Sequence, residues 1–532
     1  MAATAEPVAF GVSTAGQGPD RTLPPAGRRT VLVVALLALA ILAGSLGLGV
    51  TPLPGVMALS AGLVLVAVHR WLLQWRTMLM LLIAVILFIP IRRYQLPGGL
   101  PFHLEPYRIT VALIAVLWLA SLLVQRECRF RRTGFEAPMA AFGLAVFLGI
   151  AVNSGRITEA GLNQEVIKKA TFFLSFFIVT WLVASVTVRR GDVDKLVKVL
   201  VNGGAIVAFF AIVESRTGFN IFNHLQQVCP FLHFDAFQTP MFTGDRGGRL
   251  RAYASAQHSI SLGAALVMLV PLAVYIALRQ RTATGWMVVG LLALGTFTTV
   301  SRTAMIMMLV ELFVIVRIKP HVLRKLWPLA LPMLVAVHVA LPGTIGAFKD
   351  AFHPKGGLVA EQSSGAGTYG SGRLADLGPG LRDFSKNPAL GQGWGTRITD
   401  QVDPKWNAPI LDDEWLGTLL ETGAAGVLAL LWLFARPYRR LKRAAKRDQG
   451  ERGWLLAGLA AAICAFPIGM MTYDAFSFIQ VTFLFFILLG VAGAELRLGA
   501  AVVSPDEAEV IRRDQGRTTL RTILAPPPRV EA

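Results

Sequence analysis

Charge is scarce in this sequence. Asp, Glu, Lys and Arg make up 16% of its 532 residues, whereas hydrophobic residues make up 54%. A soluble domain carries roughly a quarter charged residues, so the three or four soluble domains that the length would allow are excluded. Cysteine is scarcer still: Cys128, Cys229 and Cys464 are the only three, and their spacing fits neither a disulfide framework nor a zinc site. Acid is the rarer sign, 32 residues against 51 basic ones, which leaves a net charge of +19. No internal repeat is evident, which argues against a transporter built of paired halves. No recognisable soluble module is evident either, which argues against a receptor or scaffold.

The abundant feature is the long apolar run. Fourteen stand out, near 31–48, 53–69, 77–91, 107–125, 137–153, 169–187, 196–214, 260–278, 284–299, 303–317, 326–341, 415–435, 453–471 and 475–494. Runs of ~17–22 residues, helical at ~1.5 Å per residue, match a hydrocarbon core ~30 Å thick. In lipid a helix satisfies its own backbone, so these runs predict an all-α, polytopic helical membrane protein with about 14 transmembrane helices. With the N-terminus inside, 33 of the 51 Lys and Arg fall in cytoplasmic loops and tails and 18 outside. The inside share includes the run Arg126 to Arg132, the pair Arg189-Arg190 and the dense stretch from Arg436 to Arg452. That bias predicts cytoplasmic N- and C-termini. The net charge then orients helices and meets anionic membrane lipids, and no nucleic-acid partner is expected.

The chain divides accordingly into a disordered cytoplasmic tail, 1–29, ahead of a signal-anchor helix, and transmembrane helices 1–7 over 30–214. A region 215–435 carries the largest outer loop, 342–414. Residues 436–494 hold a basic cytoplasmic loop and helices 13–14, and 495–532 form a second disordered tail. The large loop is glycine-rich but contains a predicted short helix, Leu374–Phe384, and reads as a partly ordered cap over an outward cavity. Arginine gathers on that side: Arg246, Arg249 and Arg251 before the eighth helix, Arg302 at the mouth of the tenth, Arg373 and Arg382 in the cap. Each alone would snorkel or pair with a carboxylate; several together suggest an anion site, because the planar guanidinium fork suits phosphate.

Four segments, in order, resemble the O-antigen ligase and polysaccharide polymerase superfamily of bacterial membranes. They are Arg251-Ala252-Tyr253-Ala254-Ser255-Ala256-Gln257-His258-Ser259 leading into Ile260-Ser261-Leu262-Gly263; Val300-Ser301-Arg302-Thr303-Ala304; Asn387-Pro388-Ala389-Leu390-Gly391-Gln392-Gly393-Trp394-Gly395-Thr396; and Leu411-Asp412-Asp413-Glu414-Trp415-Leu416 with Leu420-Glu421-Thr422-Gly423 and Gly426. The resemblance covers roughly 245–435. Ser259 stands where the family has proline, and Asp412 and Asp413 stand where its ligases have His and Asn, which favours the polymerase branch.

The resemblance implies a GT-C-like bundle in the bacterial cytoplasmic (inner) membrane. It implies a glycosyltransferase of exopolysaccharide and cell-envelope biosynthesis that moves an oligosaccharide from an undecaprenyl (polyprenyl) diphosphate-linked donor to a glycan acceptor. Arg251 and Arg302 are then expected to bind the diphosphate without metal or other cofactor, with Arg249 and Arg373 assisting, and Asp412 to act as base. Asp412 and Asp413 would equally cap the helix that begins near Glu414. His258 is expected either to touch substrate or to bond locally. Gly393 admits close backbone approach or only a turn, and Trp394 and Trp415 stack on sugar or sit at the interface. Glu421, inside the membrane, is a substrate-binding candidate or the partner of an arginine such as Arg302. The competing chemistry is a divalent ion held by Asp412, Asp413 and Glu414. Competing functions are an O-antigen-type ligase acting on a different acceptor, and a flippase for the lipid-linked oligosaccharide.

Overall fold

The computed structural model describes residues 74–96, 104–124, 129–235, 250–321, 373–397 and 411–500, with isolated positions between 332 and 353. The expected spans 31–48 and 53–69, most of 326–341, and the residues Cys128, Arg246 and Arg249 lie outside the described residues. The chain forms two compact units, Met1–Met78 and Leu79–Ala532; of the first, only residues 74–78 are described, and apart from the start of one helix the described elements belong to the second.

Helices follow the apolar runs. They are α1 (Trp75–Phe88), α2 (Pro106–Val124), α3 (Glu136–Val152), α4 (Ser154–Glu159), α5 (Asn163–Val186), α6 (Arg190–Thr217), α7 (Ser259–Gln280), α8 (Ala283–Thr298), α9 (Arg302–Ile318), α10 (Leu377–Phe384), α11 (Glu414–Arg447), α12 (Glu451–Gly469) and α13 (Ile479–Ala500). Seven of them, α2, α5, α6, α7, α11, α12 and α13, are long and apolar enough to cross a membrane, and α1, α3 and α8 are shorter apolar helices. Polar residues set the ends. Thr282 and Ser301 accept the backbone N–H of Gly285 and Ala304, capping α8 and α9. Left-handed Gly218 and Arg281 close α6 and α7.

Two corrections concern the far half of the chain. The basic stretch expected as a loop after 435 is helical to Arg447: Pro437 lies inside the helix, and the Ala, Lys and Arg residues that follow favour helix up to Asp448-Gln449-Gly450. The cap helix begins at Leu377 rather than Leu374. An unexpected antiparallel pair, β1 (Tyr94–Gln95) and β2 (His233–Phe234), ties two loops together.

Burial separates centre from rim. The apolar window is 94% buried in α13 and 89% in α7, against 28% in α2, so α7 and α13 are central and α2 flanks them. Phe173, Phe176 and Phe177 of α5 pack on Phe142, Phe476, Phe483 and Phe486 with ring centroids 4.7–6.1 Å apart. The loops sort into two ends. One end joins Arg93 to Asn223, Arg251 to Thr299, Thr303 to Thr472 and Asn153 to Gly391. The other joins Arg131 to Ser185, Arg279 and Arg452 to Asp194, Lys319 to Asp448 and Arg436 to Gly134. They are called below the site end and the basic end.

Candidate functional site

Arg251 seats on the turn that precedes Arg302. The Arg251 Nε donates to the Thr299 carbonyl at 3.1 Å, and the Ala252 N–H donates to the Thr298 carbonyl at 3.2 Å. Thr299 lies three residues before Arg302, the first residue of α9. That turn carries Val300 at φ +43°, a left-handed conformation costly for a β-branched residue. Strain of this kind persists only where the surroundings impose it. Arg251 is buried and Arg302 half-buried. The backbone N–H groups at the start of α9 add positive potential at the same place.

A chain of contacts runs from this turn to the cap. Thr303, next to Arg302, shares a 2.6 Å hydrogen bond with Thr472, in the loop between α12 and α13. The Thr472 carbonyl accepts from Arg373 Nε at 3.0 Å. Arg373 also donates to the Asp412 carbonyl and forms an ion pair of 3.4 Å with the Asp412 carboxylate. Arg251, Arg302, Arg373 and Asp412 thus stand at one end of the bundle, linked through Thr299, Thr303 and Thr472. Burial against the surrounding protein pushes the Asp412 carboxyl above its usual range, opposed by Arg373 and reinforced by Asp474. Its side chain is 65% exposed, so water moderates the effect.

The remaining expected residues serve the fold. His258 caps α7: its Nδ1 accepts the Ile260 N–H, and its ring stacks on Phe478 at 5.8 Å. Asp413 caps α11, accepting the N–H groups of Trp415 and Leu416 at 2.9 and 3.3 Å. Burial raises its carboxyl while those two bonds oppose the rise. Trp394 is buried, with its ring among Phe142, Phe173 and Phe476, so no face is open to a sugar. The Trp415 indole donates to the Pro467 carbonyl. Glu421 pairs with Lys169 at 3.5 Å and accepts the Arg397 N–H, rather than meeting Arg302. Asp412, Asp413 and Glu414 do not converge on a metal. Asp412 faces Arg373, Asp413 the helix start, and Glu414 accepts from Thr418 and the Phe476 N–H. Among the described residues no group of three or more His, Cys, Asp or Glu side chains is arranged to hold a metal ion.

Gly393 also serves the backbone, through a break in α11. Gly423 has φ +65° and ψ −166° and interrupts the helix. A continuous helix would bond the N–H groups of Ala424 and Ala425 to the carbonyls of Leu420 and Glu421. Instead those N–H groups donate to Pro388 and Ala389, while the N–H groups of Gln392 and Gly393 donate to the carbonyls of Leu420 and Glu421. The Asn387–Thr396 segment therefore completes the ladder of the broken helix. A Cβ on Gly423 would stand 2.4 Å from Ala389, and one on Gly391 2.5 Å from Glu421.

A second arginine network went unanticipated. Arg93, fully buried, donates to Asn223 at 2.6 Å and to the carbonyls of Ala254 and Ala256 at 2.7 Å, with its guanidinium 4.9 Å from the Tyr253 ring. The Glu214 carboxylate accepts the Ala254 N–H at 2.7 Å, and Asn220 bridges Glu214 and the Ala254 carbonyl. These bonds hold Ala254 at φ +42°, three residues from Arg251. Burial lowers the Arg93 guanidinium to about 10, offset in part by Tyr253 and Glu214, so it stays charged at neutral pH. The only signal in the sequence is a basic pair at the outer end of an apolar run. Its partners lie 130 or more positions away.

No protein-family model and no curated protein matches the chain.

Proposed function

We propose that the chain is a membrane glycosyltransferase, most readily a surface or exopolysaccharide polymerase. It would move oligosaccharide units from a polyprenyl diphosphate carrier to a glycan hydroxyl at the site end, facing away from the cytoplasm. The observation that carries this reading is the seating of Arg251 on the strained turn that launches α9 with Arg302, linked through Thr303 and Thr472 to Arg373 and then Asp412. The acceptor oxygen attacks the anomeric carbon and the bond to the diphosphate oxygen breaks. The diphosphate departs with the bonding electrons, and the hydroxyl proton passes to the Asp412 carboxylate. Fixed cations aimed at the leaving oxygens lower this barrier most, because they need no reorganisation as charge develops. A diphosphate is already a good leaving group, which fits a site rich in arginine. The carboxylate is a weak base, so the upward push on Asp412 matters.

The break at Gly423 favours a second reading, since interrupted helices are a habit of transporters, and a flippase for the same donor would use the same arginines. Against it, the broken ends are occupied by the chain's own cap segment. Purified protein reconstituted with polyprenyl diphosphate oligosaccharide separates the two. Longer glycans, lost in Arg302→Ala, are the expected result. Movement of intact donor across the bilayer with no new glycosidic bond would overturn it. Adding a second, chemically distinct acceptor distinguishes polymer growth from ligation.

A further inference from the structure

Four acidic residues of the long apolar helices each have a partner. Glu214 accepts backbone N–H groups and Asn220; Glu414 accepts from Thr418 and Phe476; Glu421 meets Lys169; and Glu495 meets Arg452. Glu311 is different. It lies nine residues beyond Arg302 in α9, so at ~1.5 Å per residue it is about 14 Å from that end and about 10 Å from Ile318. It is 2% exposed and shares the buried face of α9 with Met307, Val314 and Ile318. Among the described residues no hydrogen-bond partner reaches its Oε1, and it makes no ion pair.

Among the described residues no counter-charge is at hand, and the titratable group that faces it is the Cys464 thiol on α12. Beyond Cys464 stand Lys442 and Tyr438 of α11, and Arg317 lies near Tyr438, towards the basic end. The buried stretch of α7 from Ser261 to Val274 has no titratable side chain. A carboxylate stripped of water, partner and hydrogen bonds is far costlier than the neutral acid. An acid kept at such a depth marks a functional site by default.

We propose that Glu311 is a proton-binding site at the mid-depth of the bundle, holding a neutral carboxylic acid between α9 and α12. The ligand is the proton: a single carboxyl with apolar neighbours lacks the several oxygens that a metal cation requires. The site is independent of glycosyl transfer, and Lys442 and Tyr438 place its polar approach at the basic end.

A neutral acid in an apolar setting reacts with a lipid-soluble carbodiimide. The acid's proton moves to a carbodiimide nitrogen and the carboxyl oxygen bonds to the central carbon. The O-acylisourea then rearranges to a stable N-acylurea, with no oxidant and no leaving group. The test treats the full chain in detergent micelles with dicyclohexylcarbodiimide, or with a water-soluble carbodiimide plus glycine ethyl ester, and maps adducts by peptide mass spectrometry. Glu311 should carry the N-acylurea and react at least about tenfold less with the water-soluble reagent. Absence of adduct with both reagents, or equal reaction with the water-soluble one, overturns the proposal. Glu311→Gln, which mimics the neutral acid, should elute and melt as the parent does. A marked loss of melting temperature would show that a charge had been removed, and would overturn it too.

Discussion

Arginines finish helices at the basic end and hold loops at the site end. Arg497 donates to the carbonyls of Ala184 and Thr187 at the close of α5, and Arg452 and Arg279 share Asp194. These are the usual ways to satisfy terminal carbonyls and neutralise a buried acid. Arg93, Arg251 and Arg373 instead grip carbonyls of irregular segments: Ala254 and Ala256, Thr299, Thr472 and Asp412. Among the described residues, three of the four non-glycine residues with positive φ, Arg92, Ala254 and Val300, lie at the site end; the fourth, Arg281, merely terminates α7. The same residue type therefore relieves local demand at one end and enforces strained conformation at the other. Enforced strain needs a use, and the use proposed is to aim cations at a diphosphate.

The contrast is broken most forcefully at Arg302. Arg302→Ala should lower glycan transfer by about 10²–10³-fold with little change in melting, since a donor aimed at developing charge acts mainly in the transition state. Transfer at parental rates would sever the site from the chemistry. Next is Gly423→Ala, where a Cβ must enter the space of Ala389 at positive φ. A loss of several kcal/mol, or failure to elute as a monodisperse species in detergent, is expected. Gly417→Ala, with nothing within 4 Å, is the matched control and should behave as the parent.

Glu214→Ala would strand the Ala254 N–H and leave Arg93 without a nearby anion. It should cost about 1–3 kcal/mol and slow transfer through the Arg251 loop. Arg497→Ala, at the basic end, should cost about 1 kcal/mol and leave transfer unchanged, because other donors and water can satisfy the α5 carbonyls. The finest test is pH. Only the ionised Asp412 accepts a proton, so the rate should rise as pH passes the group's value and then level, with its inflection above the ordinary ~3.9 of aspartate. In Arg373→Ala the opposing cation is gone and the inflection should move further up. A rate that falls over that range, or an inflection that does not respond to Arg373, would remove Asp412 as the base.

The helices were legible because each span announces itself by composition within twenty or so residues. The pairing of Arg251 with Arg302's turn was anticipated only through resemblance of ordered segments, since no local rule joins positions 48 apart. Arg93 with Glu214 and Asn220 was hidden for the same reason, as was the β1–β2 pair. Other candidates stayed open between two readings because of ambiguity in residue type. An aspartate before a helix, a histidine at a helix mouth and a tryptophan near an aromatic run each suit capping or packing as well as binding. Asp413, His258 and Trp394 resolved towards the first. Glu421 was read as a substrate-binding candidate or as the partner of an arginine such as Arg302; its partner is Lys169, because which cation arrives is decided by how α5 packs on α11.

The interrupted α11 has a mechanical consequence. The Asn387–Thr396 segment is bonded to both halves: its Gln392 and Gly393 N–H groups donate to the Leu420 and Glu421 carbonyls before the break, and its Pro388 and Ala389 carbonyls accept the Ala424 and Ala425 N–H groups after it. The segment consequently splints the break at Gly423, tying both halves of α11 to itself. Any movement of the segment must strain both halves, and with the first of them the helix start that Asp413 caps and Asp412 precedes.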